Sequence, residues 1–301
     1  MQVSKKEIYA GMGLAVLACL IWSGNFIAAR GVYKEIPPVS LAFYRWITAS
    51  IIIFFFARKQ FKAEWKPVKQ SWHYLFWTAL TGIAIFNTFV YIGGHYTTAI
   101  NLALIGTSSS PIVAVILARI FIKEKIGLLK VIGMLLCVAG ILFLLSRASF
   151  QNLLSLQFSK GDIWVLAAAF FFAVYNTLVK KKPASISPVN FLFVIFTMGT
   201  LLLLPFYLWE LSTSNPVEWN LNLVLVILYL GIGPSVICFL IWNIAIGRLG
   251  AGRTALFGNL IPVFSSLEAV IILNEQFTWI HIVSMVVVFA GILLANLRLL
   301  K

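Results

Sequence analysis

Charge is what this sequence has least of. Only 11% of its 301 residues are charged, nine are acidic, and aspartate occurs once, at Asp162. A water-soluble domain carries about 25% charged residues, so water is not the solvent for most of this chain. Histidine is nearly as scarce, and His73, His95 and His281 lie far apart, with no spacing that pairs them with each other or with Asp162. That argues against the clustered acid–base or metal-binding groups an intramembrane enzyme needs, so no catalytic residue and no metal site is expected. The three cysteines, Cys19, Cys137 and Cys238, lie inside apolar runs and read as small packing residues. A nucleotide-binding P-loop is also missing, so ATP is not the expected energy source and no cofactor is expected.

What the chain has in excess is hydrocarbon: 61% of residues are hydrophobic and the mean hydropathy is +0.98. These residues come in blocks of about 20, the length an α-helix needs to cross a bilayer core of ~30 Å. Ten windows can be drawn, at residues 8–29, 39–57, 72–93, 97–118, 126–145, 162–179, 188–209, 221–246, 250–273 and 278–297. The expected fold class is all-α integral membrane, with ten transmembrane helices. The first window follows Lys5 and Lys6 as a signal peptide would, but its length and its counterpart deeper in the chain assign it to the fold.

The net charge of +14 does not signal nucleic acid, because the basic residues occupy the short connections and form no stripe along a helix. Their placement orients the chain instead, since positive connections stay on the cytoplasmic side. With the N-terminus inside, 18 of the 23 Lys and Arg residues fall on the inner side, while Arg30, Lys34, Arg147 and Lys160 fall outside and Arg45 lies within a window. Both termini are therefore expected in the cytoplasm, in a multi-pass protein of the cytoplasmic (inner) membrane.

Sliding the chain along itself by 151 residues aligns rare residue types without a gap: Asn25 with Asn176, Pro37 with Pro188, Gly82 with Gly233, Pro111 with Pro262, Glu124 with Glu275 and Gly140 with Gly291. The coincidence takes in two of eight glutamates and four of ten prolines, which a composition rich in Leu and Ile does not produce cheaply. Two domains are expected, residues 1–150 and 151–301, each of five spans. An odd number of spans makes the second unit enter from the opposite face, so the repeats are inverted, and inverted repeats supply two near-equivalent packings for alternating access.

The segments WSGNFIAARG from Trp22 to Gly31, PPVSLAFYRW from Pro37 to Trp46, LALIGTSSSPIVAVILARIFIKEKI from Leu102 to Ile126 and LFGNLIPVFSSLEAVIILNEQF from Leu256 to Phe277 resemble the drug/metabolite transporter superfamily, specifically its EamA-type ten-helix members. The resemblance covers essentially the whole chain. It implies a transporter of five-plus-five inverted arrangement whose central cavity is lined mainly by the first, third, fourth, sixth, eighth and ninth helices. It leaves the cargo open, because members move amino acids, nucleotide sugars, toxic cations and other metabolites.

Two ionisable residues inside windows lack a charged repeat mate: Arg45, matched by Phe196, and Glu268, matched by Leu117. Burying either in hydrocarbon is costly, so each is expected to face protein or a wet cavity. Together they suit a zwitterion, with Arg45 receiving a carboxylate or phosphate and Glu268 an ammonium group or a coupling proton; the structural alternative is a fixed ion pair. Trp22 with Asn25, and Asn87 with Tyr91, share helix faces. Tyr44, Ser108, Tyr175, Asn176, Trp242, Asn243 and Asn259 add polar or aromatic candidates for substrate contact, although aromatic residues in such a chain also serve as lipid anchors. Pro111 and Pro262 are expected to interrupt their helices, with Gly233 and Pro234 as a further hinge. Glu124 and Glu275 stand where a helix start favours an anion.

The expected function is a secondary transporter moving a small molecule, leaning to export of an amino acid or similar compound, with protons as a coupling partner through Glu268. Efflux of drugs or toxic cations, or uptake of another polar metabolite, fits the same fold. A membrane channel is the rival of another class, but no repeated filter motif is present.

Overall fold

A computed structural model describes residues 5–121, 127–151, 159–179, 181–249, 254 and 257–300. Among these residues the secondary structure is entirely helical. α1 runs Lys5–Gly31. α2 is Pro38–Ala63, and the short α3, Trp65–Gln70, follows it. α4 spans Trp72–Gly94, α5 is Ala99–Phe121 and α6 is Leu128–Leu145. α7 is Lys160–Val179 and α8 is Pro188–Thr213. α9 comprises Leu221–Leu230, a π-helical stretch Gly231–Ile237 and Cys238–Leu249. α10 opens with a 3₁₀ turn, Gly258–Leu260, and continues as Ile261–Leu273, and α11 is Trp279–Leu300.

Among the described residues, six helical segments are long and apolar enough to cross a membrane: Lys6–Gly31, Pro38–Ala63, Trp72–Gly94, Lys160–Val179, Pro188–Thr213 and Leu221–Ile246. Val131–Leu144, Gly258–Leu273 and Trp279–Leu294 are shorter apolar helices. Many large side chains are exposed along these helices, including Phe55, Phe206, Trp209, Ile271 and Val286. Exposed apolar flanks of this kind belong in lipid, where no hydrophobic penalty attaches to them.

The packing pattern survives exchange of the two halves of the chain. α1 packs on α9 and α10, as α7 packs on α4 and α5. α2 lies along α8, and α6 along α11. At the α6–α11 crossing the backbones nearly touch. A Cβ on Gly140 would lie 2.7 Å from Val288, and one on Gly291 would lie 2.5 Å from the Gly133 carbonyl. Ser284 Oγ donates to the Gly140 carbonyl at 2.6 Å, and Cys137 Sγ to that of Val288 at 3.5 Å. Small residues at a crossing allow such approach in lipid, where packing rather than hydrophobicity drives association.

α4 and α9 each contain a π-helical stretch, Leu80–Ile85 and Gly231–Ile237, beginning at positions that match under the 151-residue shift. In the second, Pro234 removes a backbone donor, and Ser235 Oγ donates to the Leu230 carbonyl at 2.8 Å.

Prolines at the first turn preset the backbone of α2 and α8, but neither start has a capping side chain in its own N-cap residue. The caps come from the partner helix. Glu210 near the end of α8 accepts from the Val39 and Ser40 amides, at 3.2 and 2.6 Å, and from Ser40 Oγ at 2.8 Å. Glu64 at the end of α2 accepts from the Ser187 amide at 2.9 Å, Ser187 Oγ at 3.1 Å and Asn190 Nδ2 at 2.7 Å. Glu275 does cap a helix start, as its sequence position suggested, but the helix is α5: it accepts from the amides of Ala99 and Ile100 at 2.8 and 3.2 Å. Glu124 lies outside the described residues.

Candidate functional site

Arg45 projects from α2 into protein, with 4% of its surface exposed. Its Nη1 donates to Asn25 Oδ1 at 2.5 Å, Asn87 Oδ1 at 2.6 Å and the Tyr91 hydroxyl at 2.8 Å, and its Nε donates to Ser235 Oγ at 2.9 Å. Tyr91 passes its own proton to Asn25 Oδ1 at 3.1 Å. The guanidinium also lies over the Trp46 ring, 4.6 Å from its centroid. Four helices thus converge on one cation: α1 through Asn25, α2, α4 through Asn87 and Tyr91, and α9 through Ser235. Asn87 stands two residues beyond the π stretch of α4 and Ser235 lies inside that of α9, so each irregular turn has a side chain at or beside it that reaches the guanidinium. α9 comes this close to α2 because Gly231 has no side chain; a Cβ there would lie 2.5 Å from Thr48.

Every hydrogen-bond acceptor around Arg45 is neutral, and among the described residues no carboxylate pairs with it and Nη2 has no acceptor. A buried cation solvated by amide and hydroxyl oxygens keeps its full charge, and that charge is complementary to an anion.

Glu268 takes a different place. It sits on α10, where Ser23 Oγ donates to its Oε1 at 2.8 Å and Oε2 is buried without a partner among the described residues. Ser23 and Asn25 are two positions apart on α1, so they face nearly opposite directions at about 100° per residue. Glu268 and Arg45 thus reach α1 through different side chains, Ser23 and Asn25, and no hydrogen bond joins the two charges among the described residues.

The remaining candidates divide. Trp22 Nε1 donates to the Pro234 carbonyl at 2.9 Å, and its ring meets those of Trp242 and Phe239 edge-on at 5.0 and 5.9 Å, so it ties α1 to the π stretch of α9. Tyr44 turns away from Arg45; its hydroxyl bonds that of Tyr207 at 2.7 Å and its ring meets Trp219 at 5.1 Å. Ser108 on α5 is buried, with its hydroxyl unpartnered among the described residues. Tyr175 is buried against Gly82 in the π stretch of α4. Asn176 is half-buried on the same helix, Asn243 is exposed, and Asn259 is half-buried in the 3₁₀ turn.

Gly233 and Pro234 lie within the π stretch of α9. Pro262 follows the 3₁₀ segment Gly258–Leu260, which interrupts the helical backbone between residue 257 and Ile261, so the expected irregular turn stands directly before this proline. The backbone of α5 continues as helix through residue 111. Reading the sequence missed Ser235 and Ser23. The signal for Ser235 was its place beside Pro234, and Ser23 carried none, because serines in such helices commonly bond their own backbone.

The EamA-like transporter family model matches this chain twice, at residues 9–146 and 159–297. An uncharacterized transporter of Archaeoglobus fulgidus is 29% identical over 95% of this chain and 96% of its own length. The uncharacterized transporter YetK of Bacillus subtilis is 25% identical over 98% of this chain and 88% of its own length. A probable amino-acid metabolite efflux pump of Salmonella typhimurium is 24% identical over 93% and 92%. One crystal structure superposes with a TM-score of 0.67 at 18% identity, covering 97% of this chain and 99% of the other, which speaks for the fold alone. The protein is a multi-pass membrane transporter and not an enzyme: the chain belongs to the EamA-like transporter family.

Proposed function

We propose that this protein is a secondary transporter that exports a small amino-acid-like metabolite across the cytoplasmic membrane by alternating access. The observation that carries the reading is Arg45, a buried cation held by neutral oxygens from four helices, positioned to take the carboxylate of a passing solute. The name of the Salmonella typhimurium relative supports the amino-acid class and the outward direction.

In this reading the chain forms ten spans as two inverted five-helix repeats, residues 1–150 and 151–301, with both termini in the cytoplasm. The double family match, the exchangeable packing pattern and the paired π stretches support the duplication. Rocking one repeat against the other opens the centre to each face in turn. Glu268, with one carboxylate oxygen that has no partner among the described residues, is the coupling group: a proton bound there on one face is released on the other. Glu268 and Arg45 both reach α1, through Ser23 and Asn25, so the coupling runs through the position of that helix.

The test is purified protein in liposomes, assayed with a panel of radiolabelled amino acids with and without a pH gradient. Wild type is expected to concentrate at least one of them when a gradient is imposed. Arg45→Gln is expected to abolish flux, and Glu268→Gln to retain exchange while losing the response to the gradient. Flux unchanged by Arg45→Gln would sink the substrate role, and a gradient response surviving Glu268→Gln would sink the coupling role.

A further inference from the structure

A cavity of about 180 Å³ opens at the end of the bundle where α1 finishes and α5 and α7 begin. Its wall includes Arg30, Arg147, Asp162, Thr97 and Asn101, none of which belongs to the cluster around Arg45. The volume equals about six water molecules at ~30 Å³ each, room for a small amino acid but well short of the ~300 Å³ or more typical of sites for drug-sized ligands.

The charges in this wall do not neutralise one another. Arg30 is anchored, with its Nη1 donating to the Gly94 carbonyl at 3.0 Å and its guanidinium over the Tyr33 ring at 4.4 Å. Arg147 is exposed and has no side-chain partner among the described residues. Its backbone has a φ of 52°, and that of Ala148 a φ of 57°, an uncommon conformation for two successive non-glycine residues.

Asp162 is 5% exposed, yet it accepts only from neutral donors: the Thr97 hydroxyl at 3.1 Å on Oδ1 and the Ser159 amide at 3.1 Å on Oδ2. Each carboxylate oxygen retains capacity for a second donor. With its proton given to Asp162, Thr97 Oγ1 can only accept from Asn101 Nδ2, at 3.3 Å. That relay fixes the orientation of the amide and leaves Asn101 Oδ1 as a buried acceptor with no donor among the described residues.

The wall therefore offers two guanidiniums that call for an anion, and a carboxylate and an amide oxygen that call for an N–H donor. We infer that the cavity is a second binding site, a vestibule for a small zwitterionic α-amino acid. The carboxylate is held by Arg147 and Arg30, and the ammonium group by Asp162 and Asn101. The inference deepens the function proposed above and rests on it for the role of the site as a stop on the cargo's path. On the orientation given there, the vestibule lies on the outer face.

The experiment measures binding rather than flux, using detergent-purified Arg45→Gln protein so that the central site is silent. The probe is L-alanine, by calorimetry, with propionate and L-alanine methyl ester as its two half-molecules. L-Alanine is expected to bind, both half-molecules to bind about tenfold more weakly or worse, and an added Arg147→Gln or Asp162→Asn change to weaken L-alanine by about tenfold. Propionate binding as well as L-alanine overturns the zwitterion assignment. L-Alanine binding that both added changes leave intact, or no L-alanine binding at all, overturns the site. The two proposals fail separately. Wild-type amino-acid flux unaltered by Arg147→Gln would leave the transport function standing without the vestibule. Binding sensitive to Arg147→Gln in a protein that carries no amino acid would leave the vestibule standing without the transport function.

Discussion

Arg45 satisfies four neutral oxygens with two of its nitrogens, and a planar fork is the shape that does this; the compact ammonium of lysine is not. Arg45→Lys is accordingly expected to keep the charge but lose most of the cluster, lowering transport by about tenfold or more, an effect of ~1.4 kcal/mol. Arg45→Met removes the charge and strands the buried oxygen of Asn87, at about 1–3 kcal/mol for a group left unsatisfied, while that of Asn25 keeps the Tyr91 hydroxyl as donor. Its melting temperature in detergent should fall well below that of Arg45→Lys, and equal melting temperatures would deny the cluster a structural share. Tyr91→Phe deletes one acceptor and one donor, and about 1 kcal/mol of stability is expected to go with them. Arg45, Asn25, Asn87 and Tyr91 were legible in the sequence because polar groups stand out in apolar windows and their spacing assigns them to helix faces. The contact of Glu268 with Ser23 on α1 was not legible. It depends on which side of α1 each neighbouring helix packs, and that is a property of tertiary arrangement rather than of spacing.

The exchanged caps give α2 and α8 dependence on each other at both ends. Burial pushes the Glu64 carboxyl up, but the hydrogen bonds from Asn190, the Ser187 amide and the Ser187 hydroxyl, with the charge of Lys182, outweigh this and hold it below its ordinary value of 4.5. A carboxylate held low on folding contributes stability that is fully present above its unfolded value and is lost as the pH falls through the folded one. Detergent-solubilised protein is therefore expected to lose stability below about pH 4.5, and Glu64→Gln to flatten that part of the curve. Denaturation followed by circular dichroism at several pH values checks this, and an identical acid limb in the variant would exclude Glu64 as the source. The helices themselves were readable from apolar length, and the weak point at Gly233 and Pro234 from composition. The π stretch at Leu80–Ile85 was not, because it contains no proline and its Gly82 is unremarkable among the chain's 20 glycines. The partners of Glu64 and Glu210 were invisible for another reason. A cap supplied from 123 to 171 residues away leaves no local pattern.

At the scale of the whole molecule, the α6–α11 crossing joins the two halves through Gly140 and Gly291, with backbone atoms where side chains would otherwise stand. Gly291→Leu is expected to separate these helices and cost about 1–3 kcal/mol by overpacking, read as a lower melting temperature in detergent. The same substitution at Gly13, where an added Cβ meets nothing within 4 Å, should be near neutral and serves as the control. The double match to the family had a counterpart in the sequence, where rare residue types recur at a constant offset, and backbone-critical positions such as Gly140 and Gly291 are among them. Cargo was not legible, since Arg45 and the neutral groups around it suit many small anions.

The two glutamate caps differ from the central cluster in one respect: each closes only one end of the α2–α8 pair. Glu64 secures the end where α2 finishes, and Glu210 the end where it starts. The two ends of this helix pair thus carry independent latches. Under the alternating access proposed above, loosening one is expected to shift which face stands ajar at rest.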